Sequence, residues 1–256
     1  MNKKMLNGNV VLITGGAGLI GSSISKEVVK NGGKVIIGDI SSNRGEALQD
    51  ELGMDNALFI EVNTSDTTSI DQFIEAGQDH FGKIDSAVHC AYPMSKQWGT
   101  GFEDLKPEGL KDDLFHQLGG AILFSQRLIL FFRKQGYGNL VHISSIQGVS
   151  APKFEHYEGT SMVSPIEYSA IKSGIISITR YLAKYCKNQN IRVNCISPGG
   201  ILDNQPEVFL EKYNSTCSSK GMMEAQDLNG TMIYLLSNMS QYINGQNIII
   251  DDGWIL

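Results

Sequence analysis

An α/β fold, with one parallel sheet covered by helices on both faces, is predicted by three features of this 256-residue chain. Short runs of β-branched and other apolar residues alternate with longer stretches whose apolar side chains repeat at helical spacing. A glycine-rich turn follows the first apolar run directly and opens a helical stretch. No compositional break, internal repeat or low-complexity segment divides the chain, so a single domain is expected.

Residues 10–13 are a β-branched run that reads as a strand buried on both faces. Thr14, Gly15, Gly16, Ala17, Gly18, Leu19, Ile20 and Gly21 form the turn, residues 22–31 a helix that stops at Gly32 and Gly33, and residues 35–39 a second strand ending in Asp39. Strand, glycine turn, helix, strand, acidic residue is the dinucleotide-binding arrangement, and it makes the fold a Rossmann-type doubly wound parallel sheet. The glycines permit a tight turn and close backbone approach to a pyrophosphate, while the helix N-terminus offers N–H groups to phosphate. A carboxylate at Asp39 can accept from adenosine ribose hydroxyls and would repel a 2′-phosphate, so NAD is favoured over NADP. The alternative for Asp39 is a cap on the next helix through Ser41 and Ser42, and Arg44 is a residue that could hold a 2′-phosphate instead.

Further strands are expected at 58–62, 84–91, 139–145, 192–196 and 247–250, with helices at 69–81, 110–133, 166–186 and 225–238. Residues 154–165 read as an irregular polar loop, and residues 203–223 as a lid with short helices. The dinucleotide-binding half spans roughly 8–150 and the catalytic and substrate half roughly 139–256. Ligands of such sheets lie beyond the carboxyl ends of the strands. Asp39, Asn63, Ala91, Ser145, Pro198 and Gly199 fall at predicted strand ends and should line one crevice. Tyr168 and Lys172, four residues apart, share a helix face, where a lysine can lower a phenol's pKa and fit it for proton transfer at an alcohol or carbonyl.

A formal charge of -6 argues against a nucleic-acid partner. Cys90, Cys186, Cys195 and Cys217 form no CxxC pair, which fits a reducing compartment and buried thiols, and no metal site is expected. Residues 1–9 are polar and only four strongly apolar residues follow, so no secretory signal and no bilayer-spanning stretch is expected, and the cytoplasm is the default.

The chain resembles the short-chain dehydrogenases/reductases over essentially its whole length. The resemblance is carried by residues 14–21, Asp39, the Ser144-Ser145 to Gly148 segment, Tyr168 to Lys172, Asn194 to Gly199, and the Gly245-Gln246 and Asp251 to Gly253 segments. It implies that Tyr168 is the general acid/base, that Lys172 lowers its pKa and holds the nicotinamide ribose, and that Ser145 hydrogen-bonds the substrate oxygen. Ser145 fits better than Ser144 because the family's serine precedes the glycine by three positions, as Ser145 precedes Gly148. It also implies cofactor contacts from Ile201 and the strand-end residues, and a homotetramer or homodimer built on the two long helices.

Four departures stand out. The glycines are spaced 15, 18, 21, a pattern more typical of the family's longer sugar-nucleotide branch. His89, Cys90, Ala91 and Tyr92 replace Asn-Asn-Ala-Gly, so a bulky ring and Pro93 stand where a glycine passes under the cofactor. Gln117, beside His116, falls at the family's helix asparagine, which holds a backbone kink and a proton-relay water, so the resemblance makes Gln117 a catalytic candidate. Ser145 and Tyr168 are 23 positions apart, about ten more than usual in this resemblance, through an insertion at 153–162. Tyr157 lies at the usual distance but has Ser161, not lysine, four residues on. These segments resemble a subgroup associated with flagellin modification and legionaminic-type surface-sugar pathways, which implies a sugar, sugar-phosphate or nucleotide-linked substrate. The insertion suits a polyhydroxylated ligand, or is a solvated loop or subunit contact; Lys153 meets a phosphate or lies at the surface. His89 and His142 read as packed residues, and Asp203 as a cap or a hydroxyl contact. The competing functions are a non-catalytic dinucleotide-binding regulatory protein and an NADPH-dependent ketoreductase for another small-molecule class.

Overall fold

Seven parallel strands form one sheet in the computed structural model, which describes residues 4–256. They are β1 Val10–Thr14, β2 Lys34–Asp39, β3 Ala57–Glu61, β4 Ser86–His89, β5 Gly138–Ile143, β6 Ile191–Pro198 and β7 Asn247–Ile250, ordered β3-β2-β1-β4-β5-β6-β7. The helices are α1 Leu19–Lys30, α2 Ser42–Leu52, α3 Thr67–Phe81, α4 Pro107–Asp113, α5 Gly120–Gln135, α6 Ile166–Tyr185, α7 Glu207–Ser215 and α8 Asn229–Leu236. The architecture is the expected Rossmann-type α/β fold.

Side chains of β1 alternate between two cores, as strand period two requires. Val10 and Leu12 pack with Ile36, Phe73 of α3 and Phe132 of α5. Val11 and Ile13 pack with Val35, Ile24 of α1 and Leu235 of α8. None of these is more than 2 % exposed, and each such burial stabilises the fold by about 1.5–3 kcal/mol. After β3 the chain crosses to the far side of β1, so the order reverses between β1 and β4 and opens a crevice at their carboxyl ends.

The structure corrects several boundaries. The expected strand at 84–91 is only Ser86–His89, because the chain leaves the sheet to enter the crevice. The expected helix at 110–133 starts at Pro107 and is interrupted by a π turn over Leu114–Gly119 that joins α4 to α5. Such a turn inserts an extra residue and shifts the faces presented on either side. By length and composition Pro107–Gln135 could cross a membrane, contrary to the expectation for every stretch; its Phe124, Leu128 and Phe132 are buried in the core. The expected helix at 225–238 is a tight turn, Ala225–Leu228, followed by α8. Residues 154–165 are not wholly a polar loop, since one helical turn, Phe154–His156, carries a buried His156.

His89 and His142 face each other across β4 and β5, and both are packed residues. His89 Nδ1 is 2.8 Å from Thr14 Oγ1, and His142 lies between Ser125 Oγ at 2.9 Å and Thr179 Oγ1 at 2.8 Å. Burial pushes both imidazoles below their usual range, His142 to about 4. The unfolded chain therefore takes up protons below the ordinary histidine value of 6.5 while the folded chain does not. Stability present above that value is lost as pH falls toward 4. Urea unfolding at stepped pH should show this decline, and His142→Gln should reduce its slope by about one proton; an identical slope in the variant contradicts the assignment.

Candidate active site

Past β1 the backbone turns at Gly15 with φ +64. A Cβ there would lie 2.9 Å from the backbone of Cys90 and Ala91, and one on Gly21 would lie 2.1 Å from the Gly15 carbonyl oxygen. Glycine at both places lets the turn close onto α1 and the segment after β4. The first turn of α1 then offers N–H groups to the crevice. Asp39 ends β2 and is buried. Its Oδ2 accepts from the Ala17 N–H at 3.1 Å and its Oδ1 from the Ser41 N–H at 3.0 Å, while the Arg44 guanidinium lies 3.7 Å away. The two readings of Asp39 are thus compatible: it braces the glycine turn and the start of α2, and it lines the cleft.

At the end of β5, Ser144 Oγ donates to the Lys172 carbonyl at 2.7 Å, tying the strand end to α6. Ser145 follows, its Oγ accepting from the Gln147 N–H at 3.2 Å. Gly148 lies against α6 so closely that a Cβ would be 2.7 Å from the Lys172 carbonyl carbon. This contact seats Ser145 beside Tyr168 and Lys172, which share a face of α6 one turn apart. All three line a cleft of about 920 Å³. So do Gly15, Gly18, Leu19, Ile20, Gly21, Asp39, Asn63, Ala91, Pro198, Gly199 and Ile201.

Gln117 is the exception. It is buried in the π turn, neither amide atom has a hydrogen-bond partner among the described residues, and it does not line the cleft, whereas His116 does. The family pattern alone pointed to it; the π turn governs where its side chain goes.

The electrostatics also depart from expectation. Burial raises the Tyr168 phenol above its usual range, the hydrogen bond with Ser145 opposes this, and Tyr157 adds to it. Lys172 Nζ lies over the Tyr168 ring, 5.5 Å from the centroid. Burial lowers Lys172 itself to about 8. Its Nζ donates to the Ile143 carbonyl at 3.2 Å. Cys90 and Cys195 are raised to about 12 by burial and stay thiols.

Two groups of rings flank the phenol. Tyr92, Trp98 and Tyr168 meet edge to face with centroids 5.3–5.9 Å apart. On the other side, His156 and Tyr157 from the insertion pack with Phe209 and Tyr213 of α7 and with Trp254. His156, Tyr157, Phe209, Tyr213 and Trp254 line the cleft, so the insertion is a wall, while its Glu155 and Glu158 stay exposed. The buried His156 Nε2 and Trp254 Nε1 have no hydrogen-bond partner among the described residues. Lys153 is tied to the C-terminal tail, donating to the Trp254 carbonyl at 3.0 Å and lying 4.6 Å from its ring centroid. Phe209, Tyr213 and Trp254 were missed because no local pattern marks them; only the tertiary fold brings them to the cleft, and Trp98 to the rings of Tyr92 and Tyr168.

A glycine cradle that Cβ atoms would fill, a helix N-terminus and a strand-end carboxylate fit a dinucleotide, and a serine, tyrosine and lysine adjoin them. Fold and site together define an oxidoreductase. Residues 15–255 match the family model described as Enoyl-(Acyl carrier protein) reductase. The chain is 42 % identical over 254 residues to "Post-translational flagellin modification protein A" of Campylobacter coli, covering 98 % of this chain and 99 % of that one. It is 32 % identical to a 7alpha-hydroxysteroid dehydrogenase of Bacteroides fragilis, covering 95 % and 93 %. A short chain dehydrogenase from Leptospira borgpetersenii, solved with bound NAD+, superposes with a TM-score of 0.86 at 30 % identity, covering 99 % and 95 %. The chain belongs to the short-chain dehydrogenase/reductase family.

Gly148 gives this geometry a direct test. Gly148→Val should force the Ser145 loop off α6, lowering stability by about 1–3 kcal/mol in thermal or urea unfolding. Turnover should fall further than cofactor affinity, since the glycine cradle is untouched. Unchanged stability and turnover would show that the contact does not seat Ser145.

Proposed function

We propose that this protein is an NAD(H)-dependent oxidoreductase interconverting a secondary alcohol and a ketone on a sugar, sugar phosphate or nucleotide sugar, in surface-glycan biosynthesis of the flagellin-modification kind. The observation that carries the chemistry is the convergence of Ser145, Tyr168 and Lys172 on the cleft that also holds Asp39. The dinucleotide, when bound, supplies or accepts the hydride. Tyr168 moves the proton at the substrate oxygen: its phenol donates during ketone reduction, and its phenolate accepts during alcohol oxidation. Ser145 donates to the same oxygen and orients it. Lys172 supplies positive charge beside the phenol and a donor toward the ribose. The raised phenol keeps Tyr168 protonated at rest.

Support for NAD comes from the buried Asp39 carboxylate at the strand end, where a 2′-phosphate would meet negative charge. Arg44, exposed and lining the same cleft, is the feature on the other side of that balance. Support for a sugar comes from the similarity to the Campylobacter coli protein and from the wall opposite the catalytic tyrosine. The rings of Tyr157, Phe209, Tyr213 and Trp254 that line this wall suit the C–H face of a sugar ring. The similarity to the hydroxysteroid dehydrogenase favours a second reading, in which the same rings enclose an apolar polycyclic alcohol. We further propose a cytoplasmic enzyme, in line with four free cysteines. We also propose a homodimer or homotetramer built through the exposed apolar Phe115 and Ile122 beside the π turn.

The NADH absorbance change should be followed with NAD and a panel of free hexoses, hexose phosphates, nucleotide hexoses and a 7α-hydroxysteroid. Turnover on a sugar that falls by about 10²- to 10⁴-fold in Tyr168→Phe supports the proposal. Turnover of the steroid alone selects the second reading, and cofactor binding without any turnover selects a regulatory protein. Asp39→Ser should weaken NADH binding by about tenfold or more and narrow its advantage over NADPH. Tighter NADPH than NADH binding in the unaltered protein would reverse the cofactor assignment and point to an NADPH-dependent ketoreductase.

A further inference from the structure

Lys172 is 7 % exposed and makes no ion pair among the described residues. A buried ammonium without an opposite charge is costly, and hydrogen bonds or π faces must replace the lost water. One hydrogen bond goes to the Ile143 carbonyl. The titratable groups facing it from the packed elements are His89 and Cys90 at the end of β4, Cys195 on β6 and Tyr168 on its own helix. None supplies negative charge: the imidazole is held neutral by burial, both thiols are held protonated, and the phenol is raised.

What remains is aromatic. Lys172 Nζ lies 5.1 Å from the Tyr92 ring centroid, closer than its 5.5 Å to the Tyr168 centroid. Both are within the roughly 6 Å over which a ring face attracts a cation. Tyr92 meets Tyr168 edge to face at 5.8 Å, and Trp98 meets both rings, so Tyr92 is held in place. Although Tyr92 as a whole is 39 % exposed, desolvation of its phenol, Tyr168, Asp113 and Glu167 all push that phenol up, so it stays neutral.

We propose that Tyr92 is a positioning residue whose ring face holds the Lys172 ammonium beside Tyr168 and keeps it charged at neutral pH. Nothing in the proposed reaction assigns Tyr92 a part, and the cation–π contact gives it one through Lys172. The importance of that charge rests on the proposed role of Lys172, but the contact itself is testable without turnover.

The test is a carbon NMR titration of protein labelled at the lysine ε-carbon, with the Lys172 signal identified by its loss in Lys172→Arg. The Lys172 midpoint should be well below that of surface lysines in the unaltered protein and unchanged in Tyr92→Phe, which keeps the ring. In Tyr92→Leu it should fall by about one pH unit, since losing the π face favours the neutral amine. Tyr92→Met, which fills similar space without a π face, should show the same fall if the leucine variant does not fold. Phe209→Leu loosens the other aromatic wall, where Phe209 packs with His156, Tyr157 and Tyr213, and should lower thermal stability while leaving the midpoint in place. A midpoint unmoved in both ring-less variants, or moved equally by Phe209→Leu, overturns the proposal. Failure of the sugar panel would leave this result standing, so the two readings fail separately.

Discussion

The seam between the end of β5 and α6 governs the geometry on which the site depends. Ser144 Oγ bonds the Lys172 carbonyl, Gly148 leaves no room for a Cβ against the same residue, and Lys172 Nζ returns to the Ile143 carbonyl. Three contacts from one strand end to one helical residue fix the depth and rotation of α6. Tyr168, one turn earlier, inherits that orientation, and so does the distance between its phenol and Ser145. The sheet enters only as the support that holds Ile143 still, its side chain packed in the core shared with α1 and α8.

The same seam buries a cation, and this explains why the phenol and the ammonium depart from their ordinary values in the way they do. Burial works against charge on either group, raising one and lowering the other. Reading Tyr168 and Lys172 from their spacing captured the shared face but not the sign of the effect. Spacing says that two groups can meet; it does not say whether the ammonium meets the hydroxyl or the ring. Here Nζ lies over the ring, and desolvation by burial is the largest influence on both groups.

Much of the fold was legible for a local reason. The β-branched runs at 10–13 and 35–37 announce strands because both faces are buried and no polar residue interrupts them. Gly15, Gly21 and Asp39 were legible because the turn leaves few alternatives. The π turn was not, since residues 114–119 carry ordinary helical spacing and no residue type there marks the extra residue. The aromatic wall was not, because His156, Phe209 and Trp254 lie up to about a hundred positions apart and only converge once α7 and the tail fold over the insertion. That convergence is tied down by Lys212, which donates to the Glu155 and Glu158 carbonyls at 2.8 Å. Asp252 adds to it by accepting from the backbone of Ser219, Lys220 and Gly221.

These ties make the insertion, α7 and the C-terminal tail one mechanical unit at one wall of the cleft, while the glycine turn and Asp39 form another. Ser145, Tyr168 and Lys172 line the same cleft from the seam. At rest the phenol is protonated and set to give a proton, which suits reduction. Desolvation opposes charge on the phenol and on the ammonium alike, so any group that brings charge or water into this cleft acts on both at once, and the seam that holds them together makes their protonation a joint property of one buried pair.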